Sequence, residues 1–463
     1  MDKRGTFGSR LAIILATAGS AVGLGNIWRF PFMTGQNGGA AFILVYFACV
    51  LLLGIPGMVN EFIVGRHAQT NAARAYSQIG GRKWRFIGYL GILTSTIILG
   101  FYAVVAGWCL QYLFASIAGQ LNGDPSYVIA YFRTFSSDPI KPCLWAIGFV
   151  LITHLVVAQG VEKGIERASK LLMPLLLVLL LILVVASCLL PNASAGIEFL
   201  LKPDFSKVSR DVFLEALGQA FFSLSLGTAC LCTYASYFKR DTNLLRSATQ
   251  IALLDSAIAI LAGLMIFPAA FSVGVQPDSG PSLIFITLPN VFREAFAAMP
   301  LVGYVISILF YALLVFAALT STISMHEIGT AFFHEELSLP RQKAAWILTL
   351  VCSLIAIFCS LSVGAYSNLQ LFGMSLLDFC DFLTAQLMLP AGAFLTSILM
   401  GWFASRQLVQ DEFTNNGTLH ATFFKAWYFS VRYIVPLCIA LIFLHSIRDA
   451  FDHVLHVLHD LVV

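Results

Sequence analysis

The stretch Gly19-Ser20-Ala21-Val22-Gly23-Leu24-Gly25-Asn26 interrupts an otherwise apolar segment at residues 10–34. Its three glycines and its asparagine weaken an α-helix at this point. The sixth apolar segment, residues 211–238, has a comparable centre in Ser223-Leu224-Ser225-Leu226-Gly227-Thr228. Small residues also allow close helix packing, but their matching positions in two successive groups of five segments favour two broken helices. Such an arrangement is typical of inverted-repeat transporters with a site in the middle of the membrane.

The composition excludes a soluble fold. Of the 463 residues, 59% are hydrophobic and 11% are charged, whereas soluble domains carry about 25% charged residues. The ten cysteines are scattered through apolar stretches without a C-x-x-C pair, which predicts buried thiols rather than a metal site. No basic run suggests nucleic acid, and no nucleophile–base, metal-ligand or phosphate-loop motif suggests an enzyme. We therefore predict an all-α integral membrane protein without catalytic activity.

Eleven segments approach the roughly 20 apolar residues that a membrane-spanning helix needs. We interpret the first as a membrane helix rather than a cleaved signal, because the apolar run continues without a cleavage site. The prediction is one transporter domain over 1–463, with inverted repeats at 10–190 and 211–401 and an additional helix at 423–449. The predicted spans are 10–34, 39–65, 86–117, 142–159, 167–190, 211–238, 244–275, 300–335, 343–362, 370–401 and 423–449.

The positions of lysine and arginine predict the orientation. One set of connecting segments holds 18 of these residues and the opposite set holds 7. Because positive residues accumulate on the cytoplasmic side, the N-terminus is predicted to be cytoplasmic and the C-terminus outside. This indicates a multi-pass protein of the cell inner (cytoplasmic) membrane.

Several motifs together resemble the neurotransmitter:sodium symporter family. The first-helix signature continues from Gly19 through Ile27-Trp28-Arg29-Phe30-Pro31. Further similarities follow in order along nearly the whole chain: Asn37-Gly38-Gly39, Gly54-Ile55-Pro56, Glu61, Gly65-Arg66, residues 164–170, residues 218–225, residues 233–237 and residues 317–321. The resemblance implies a sodium-coupled symporter with helices 1 and 6 broken.

The resemblance also implies how an amino acid would bind. Its carboxylate would meet the amides of Leu24 and Gly25 and the hydroxyl of Tyr102, and its amine would meet carbonyls of Ala21 and Phe222. Monoamine carriers have an aspartate where this chain has Ser20, which favours an amino acid as the substrate. With Ile98, Phe222 and Met325 in the predicted lining, and Thr228 in place of a bulkier residue, we expect a hydrophobic or aromatic L-amino acid. The remaining predicted lining comprises Ser20, Ile98, Phe222, Ser223, Ser225, Thr228, Ser321 and Met325.

Two sodium sites are implied in the same way. The first would use the Ala21 carbonyl, Asn26, Ser223 and a residue of the seventh span, where the register leaves Leu254 and Asp255 as alternatives. Asp255 would either bind sodium or replace the negative charge of chloride, so we predict that chloride is not required. Glu61 would support the broken backbone. The second site would use the carbonyls of Gly19, Val22 and Ala317 with the hydroxyls of Thr320 and Ser321.

The family pattern further implies two gates. Outside, Arg29 would pair with Asp381, with Gln219 as a brace. On the cytoplasmic side, Arg4 would pair with Glu335 near Tyr237. Two alternatives remain open from the sequence, namely a proton-coupled or sodium-independent permease of the same architecture and an amino-acid sensor that does not transport. The preferred amino acid, the sodium stoichiometry and the oligomeric state are not determined by the sequence.

Overall fold

The computed structural model describes residues 5–121, 124–274, 283–420, 422–445 and 447–448. Within them, helices dominate, and the β-structure is one antiparallel pair, β1 (Gln370–Leu371) and β2 (Met374–Ser375). The α-helices are α1 (Arg10–Ala21), α2 (Phe30–Gln36), α3 (Ala40–Cys49), α4 (Ile55–Ala68), α5 (Ala72–Gly80), α6 (Arg85–Ile117), α7 (Pro125–Ser136), α8 (Lys141–Val157), α9 (Arg167–Cys188), α10 (Ser194–Leu201), α11 (Arg210–Ser223), α12 (Cys230–Ala235), α13 (Leu244–Ser272), α14 (Leu288–Ala295), α15 (Pro300–Glu336), α16 (Arg341–Val363), α17 (Leu376–Phe382), α18 (Leu389–Ile398), α19 (Arg406–Phe413) and α20 (Phe424–Phe429).

Short 3-10 and π-helical turns, which are tighter and wider than an α-helix, connect several of these helices. Two 3-10 turns occur at Arg82–Trp84 and Phe205–Lys207. The π-helical turns are Gly25–Arg29, Val50–Gly54, Val161–Glu166, Leu283–Thr287, Leu383–Met388, Leu399–Phe403 and Ser430–Ile434. Such turns are frequent at functional sites, and two of them, Gly25–Arg29 and Leu383–Met388, lie in the helices that carry the predicted outer gate.

The membrane-spanning prediction agrees with the helix lengths. In the described part of the chain, eight helices are long and apolar enough to cross a membrane, and two bent pairs raise the number to ten. The segment containing α11 and α12 is not among them, because its helix stops at Ser223 and resumes at Cys230. Counting this divided segment as a crossing gives the predicted eleven. The all-α membrane fold with broken helices is therefore confirmed.

The first helix is broken where the glycines predicted it. α1 begins with the Ser9 hydroxyl accepting from the Ala12 amide at 3.2 Å, and it ends at Ala21. Val22 then adopts an extended backbone, and the chain continues at an angle of 57° through Gly25–Gln36. α1 packs against α15, α13 and α9, so the break lies inside the helix bundle.

Some predicted boundaries were wrong. The tenth span was predicted from residue 370, but its helix begins at Leu376 because Phe372 and Gly373 form a left-handed turn between the two short strands. The short amphipathic helix α7 was not predicted, since it is too polar for a membrane span.

Candidate functional site

Side chains bind the free backbone groups of the first break. The Leu24 amide donates to the Tyr102 hydroxyl at 3.0 Å, and the Gly23 amide donates to Asn26 Oδ1 at 3.0 Å. A Cβ atom at Gly23 would lie 2.5 Å from Ser321 Oγ, so only glycine fits this position. Because unpaired amides are costly in the membrane interior, these contacts hold an unwound backbone at a polar site.

The second break is held by a buried carboxylate. Ser225, Gly227 and Ala229 all have positive φ angles, which end the helix between Ser223 and Cys230. Glu61 Oε1 accepts a hydrogen bond from the Gly227 amide at 2.7 Å. The structure thus brings Glu61 to the broken backbone, at the position expected from the sequence.

The two breaks are adjacent. The Ser225 hydroxyl donates to the Ser20 carbonyl at 3.2 Å, which joins the second break directly to the first. The Thr228 hydroxyl donates to the Ser225 carbonyl at 2.7 Å and the Thr228 carbonyl accepts from Ser95 at 2.6 Å. Two interrupted backbones therefore share one polar centre.

A cluster around Asp255 corresponds to the predicted first sodium site. Asn26 Nδ2 donates to Asp255 Oδ1 at 2.8 Å, and the Ser223 hydroxyl donates to Asp255 Oδ2 at 2.6 Å. Leu254, the alternative position, is half-buried and packs against the apolar core. Tyr46, which the sequence reasoning missed, lies 3.4 Å from Asp255 Oδ2. A tyrosine in an apolar span gave no distinguishing signal.

A second cluster gathers the residues of the predicted second sodium site. The Thr320 hydroxyl lies 3.3 Å from the Val22 carbonyl and 3.0 Å from the Ala317 carbonyl. The Ser321 hydroxyl lies 3.2 Å from the Val22 carbonyl. A Cβ atom at Gly19 would lie 3.3 Å from Thr320 Cβ, which places Gly19 beside the same group. Carbonyl and hydroxyl oxygens are suitable ligands for a hard cation such as sodium.

Four of the predicted substrate-binding residues line a cavity of about 310 Å³. Tyr102 and Phe222 form part of its wall together with the backbone at Leu24 and Gly25. Ile98 lies one helical turn before Tyr102, and Met325 one turn after Ser321, so each shares a helix face with a site residue. Ala21 and Ser20 are buried at the end of α1. The lining residues are Leu24, Gly25, Trp28, Arg29, Phe32, Met33, Phe101, Tyr102, Val105, Phe222, Leu377, Asp378 and Asp381.

The predicted outer gate is not closed in this structure. Arg29 and Asp381 both line the cavity, yet no ion pair within 4.0 Å joins them in the described part of the chain. The Arg29 guanidinium lies over the Phe222 ring instead, at 4.3 Å from its centroid. Gln219 is buried, and neither polar atom of its side chain has a hydrogen-bond partner among the described residues.

The predicted pairing of Arg4 with Glu335 falls partly outside the described residues. Glu335 accepts from the Thr70 hydroxyl at 2.8 Å and from the Asn71 amide at 2.7 Å, and Arg4 lies outside the described residues. Tyr237 donates to Glu327 Oε1 at 2.6 Å, and Glu327 also forms an ion pair with Arg341. The sequence reasoning missed Glu327, although a carboxylate within an apolar span was a signal for it.

Comparison with known proteins agrees with this geometry. The profile of the sodium:neurotransmitter symporter family matches residues 4–126 and 140–456. The chain belongs to this family. It is 40% identical over 442 residues to the uncharacterized sodium-dependent transporter YhdH of Bacillus subtilis, covering 95% of this chain and 97% of that protein. It is also 34% identical over 459 residues to an uncharacterized sodium-dependent transporter of Haemophilus influenzae, covering 96% of this chain and 98% of that protein.

A solved structure of the symporter family has the same fold. The crystal structure of MhsT in complex with L-phenylalanine matches with a TM-score of 0.87 and 40% identity, covering 96% of this chain and 100% of that chain. The membership establishes a multi-pass, sodium-dependent membrane transporter rather than an enzyme. The polar centre between the two broken helices is the candidate site for its ions and its solute.

Proposed function

We propose that this symporter imports a hydrophobic or aromatic L-amino acid together with two sodium ions by alternating access. The observation that carries the proposal is the meeting of two interrupted helices, whose backbone groups face the Asp255 cluster on one side and Thr320 on the other. Amide ends of half-helices favour a carboxylate and carbonyl ends favour cations. An amino-acid zwitterion with sodium satisfies both.

The proposed substrate class rests on the cavity wall. Phe222, Tyr102 and Phe101 give it aromatic surface, and Ser20 offers no charge to hold the amine of a substrate that lacks a carboxylate. The Tyr102 hydroxyl, which accepts from Leu24, retains its proton for an incoming carboxylate. The phenylalanine complex of the similar transporter MhsT supports an amino acid of this kind.

We further propose that chloride is not required. Both the Ser223 hydroxyl and the Tyr46 hydroxyl donate to the Asp255 carboxylate. These donors are already directed at a fixed negative charge, which performs the electrostatic role of a bound anion. Uptake should therefore be unchanged when gluconate replaces chloride.

The proposed orientation places the N-terminus in the cytoplasm of a cell whose inner membrane holds the protein. The excess of lysine and arginine on one set of loops supports it. In this orientation each sodium ion gains about 2.3 kcal/mol per 100 mV on entry. Two ions therefore supply about 4.6 kcal/mol, before the concentration gradient is counted. We also interpret 10–190 and 211–401 as the two inverted repeats of a single domain.

The test is uptake by purified protein in liposomes with an imposed sodium gradient. Twenty labelled amino acids are compared, with potassium or a proton gradient replacing sodium as controls. We expect sodium-driven accumulation of phenylalanine-like or leucine-like substrates. Uptake driven by protons alone would instead support the permease alternative, and binding without accumulation would support a sensor.

A further inference from the structure

Two cysteines lie opposite each other where α16 and α17 pack. The two helices are antiparallel, and the Ser362 hydroxyl accepts from the Leu376 amide at 3.0 Å. One turn further into the protein, the same register places Cys359 against Cys380. The two thiols lie close enough to interact with each other. Cys359 is buried and Cys380 is half-buried.

Cys380 belongs to the helix that lines the cavity described above. It follows the lining residues Leu377 and Asp378 by less than one helical turn and immediately precedes Asp381. The thiol pair thus connects the helix that carries one half of the outer gate to its neighbour. Directly beyond α17 the backbone forms the π-helical turn Leu383–Met388. α17 is therefore a short helical segment, and it packs against α16.

We propose that Cys359 and Cys380 form a dithiol site that a small disulfide on the outer side oxidises to an intramolecular disulfide. The proposal rests on the orientation given under Proposed function, which exposes this end of α17 to the oxidising side of the membrane. In that compartment the pair is a modification site, and the bond that it forms fixes α17 to α16.

The reaction is thiol–disulfide exchange. The Cys380 thiolate attacks one sulfur of the small disulfide, forms a mixed disulfide and releases one thiolate. The Cys359 thiolate then attacks the Cys380 sulfur, forms the internal bond and releases the second thiolate. Two protein thiols lose two protons, and two electrons pass to the reagent, which leaves as two thiols. Only Cys380 has to be accessible, because the second step is internal.

The expected consequence is a reversible loss of transport. Closing the cavity brings Arg29 and Asp381 together, which requires α17 to move relative to the helices around it. A bond to α16 opposes that movement. We therefore expect oxidation to lower the uptake rate at least fivefold and a reducing agent to restore it.

The experiment treats proteoliposomes with oxidised glutathione, followed by peptide mass mapping and by uptake before and after dithiothreitol. The expected result is a linked pair of peptides that contain Cys359 and Cys380, with a parallel loss of uptake. Cys359→Ser and Cys380→Ser should each abolish the link, and the ratio of treated to untreated uptake should return to one. Cys188→Ser is the matched control, because it removes another half-buried thiol but should leave the link intact.

Two results would overturn the proposal. One is glutathione attached to Cys380 with no link to Cys359 after prolonged treatment, and the other is a complete link with unchanged uptake. The mapping needs no transport, so it separates failure of the dithiol site from failure of the proposed function. A link that forms only when the reagent is inside the liposomes would contradict the orientation instead.

Discussion

The charge of Asp255 should determine how tightly sodium is held. Asp255→Asn keeps the size of the side chain and one oxygen, but it removes the negative charge that faces Asn26 and Ser223 at 2.8 and 2.6 Å. Opposite unit charges about 4 Å apart attract by about 4 kcal/mol at an effective dielectric of about 20. Since about 1.4 kcal/mol is a factor of ten, and the amide oxygen still binds, we expect sodium affinity to fall about 100- to 1,000-fold.

The assay is initial uptake at a fixed amino-acid concentration over a range of sodium concentrations. Asp211→Asn is the matched control, since Asp211 is an exposed carboxylate at the start of the helix that carries Ser223. A half-saturating sodium concentration that is the same in wild type and Asp255→Asn would refute the assignment of this carboxylate to the ion site. If Asp255→Asn raises the half-saturating sodium concentration and added chloride lowers it again, the result would support the proposal that Asp255 replaces a bound anion.

Three further changes test other parts of the structure. Thr320→Ala should raise the half-saturating sodium concentration about 10- to 100-fold by removing a proposed oxygen ligand of the ion, whereas Thr322→Ala, whose hydroxyl contacts Thr153, should not. Gly227→Ala should lower the melting temperature in detergent, because φ is +82° and the new Cβ would lie 2.2 Å from the Leu389 carbonyl; the left-handed backbone alone costs about 1–2 kcal/mol, and Gly218→Ala, with open space around it, should show no such loss. Burial opposes ionisation of Glu412, but His67 and the Arg66 guanidinium outweigh it and lower its pKa. The ionised Glu412 therefore stabilises the folded protein above the unfolded pKa of about 4.3, and this stabilisation is lost as pH falls through the lower folded pKa. In melting scans from pH 7 to 3, the melting temperature of the wild type should approach that of Glu412→Gln. Melting temperatures that fall in parallel for the two proteins would contradict the ion pair.

The features that could be predicted are those encoded locally. The length of the apolar segments identified the spans. The glycines of residues 19–25 identified the first break, because glycine weakens a helix at the position where it occurs. The Asp255 register was left open, since one residue of shift cannot be decided without the packing partner. In the structure, Asn26 and Ser223 bind the Asp255 carboxylate, which supports Asp255 as the proposed ligand.

The features that could not be predicted depend on distant segments. The contacts of Glu335 with Thr70 and Asn71, in the turn before α5, were not predicted. The ion pair of Glu327 with Arg341 crosses a loop between two helices. Such pairings depend on how distant helices pack against each other, and that arrangement cannot be derived from the sequence alone.

The position of Trp28 has a practical consequence. This indole lies in the wall of the cavity, next to Arg29. Its fluorescence will respond when water in the cavity is replaced by an amino acid, because indole emission depends on the polarity around the ring. In a variant whose other six tryptophans are replaced by phenylalanine, unlabelled ligands become measurable by emission alone, at equilibrium and without a gradient.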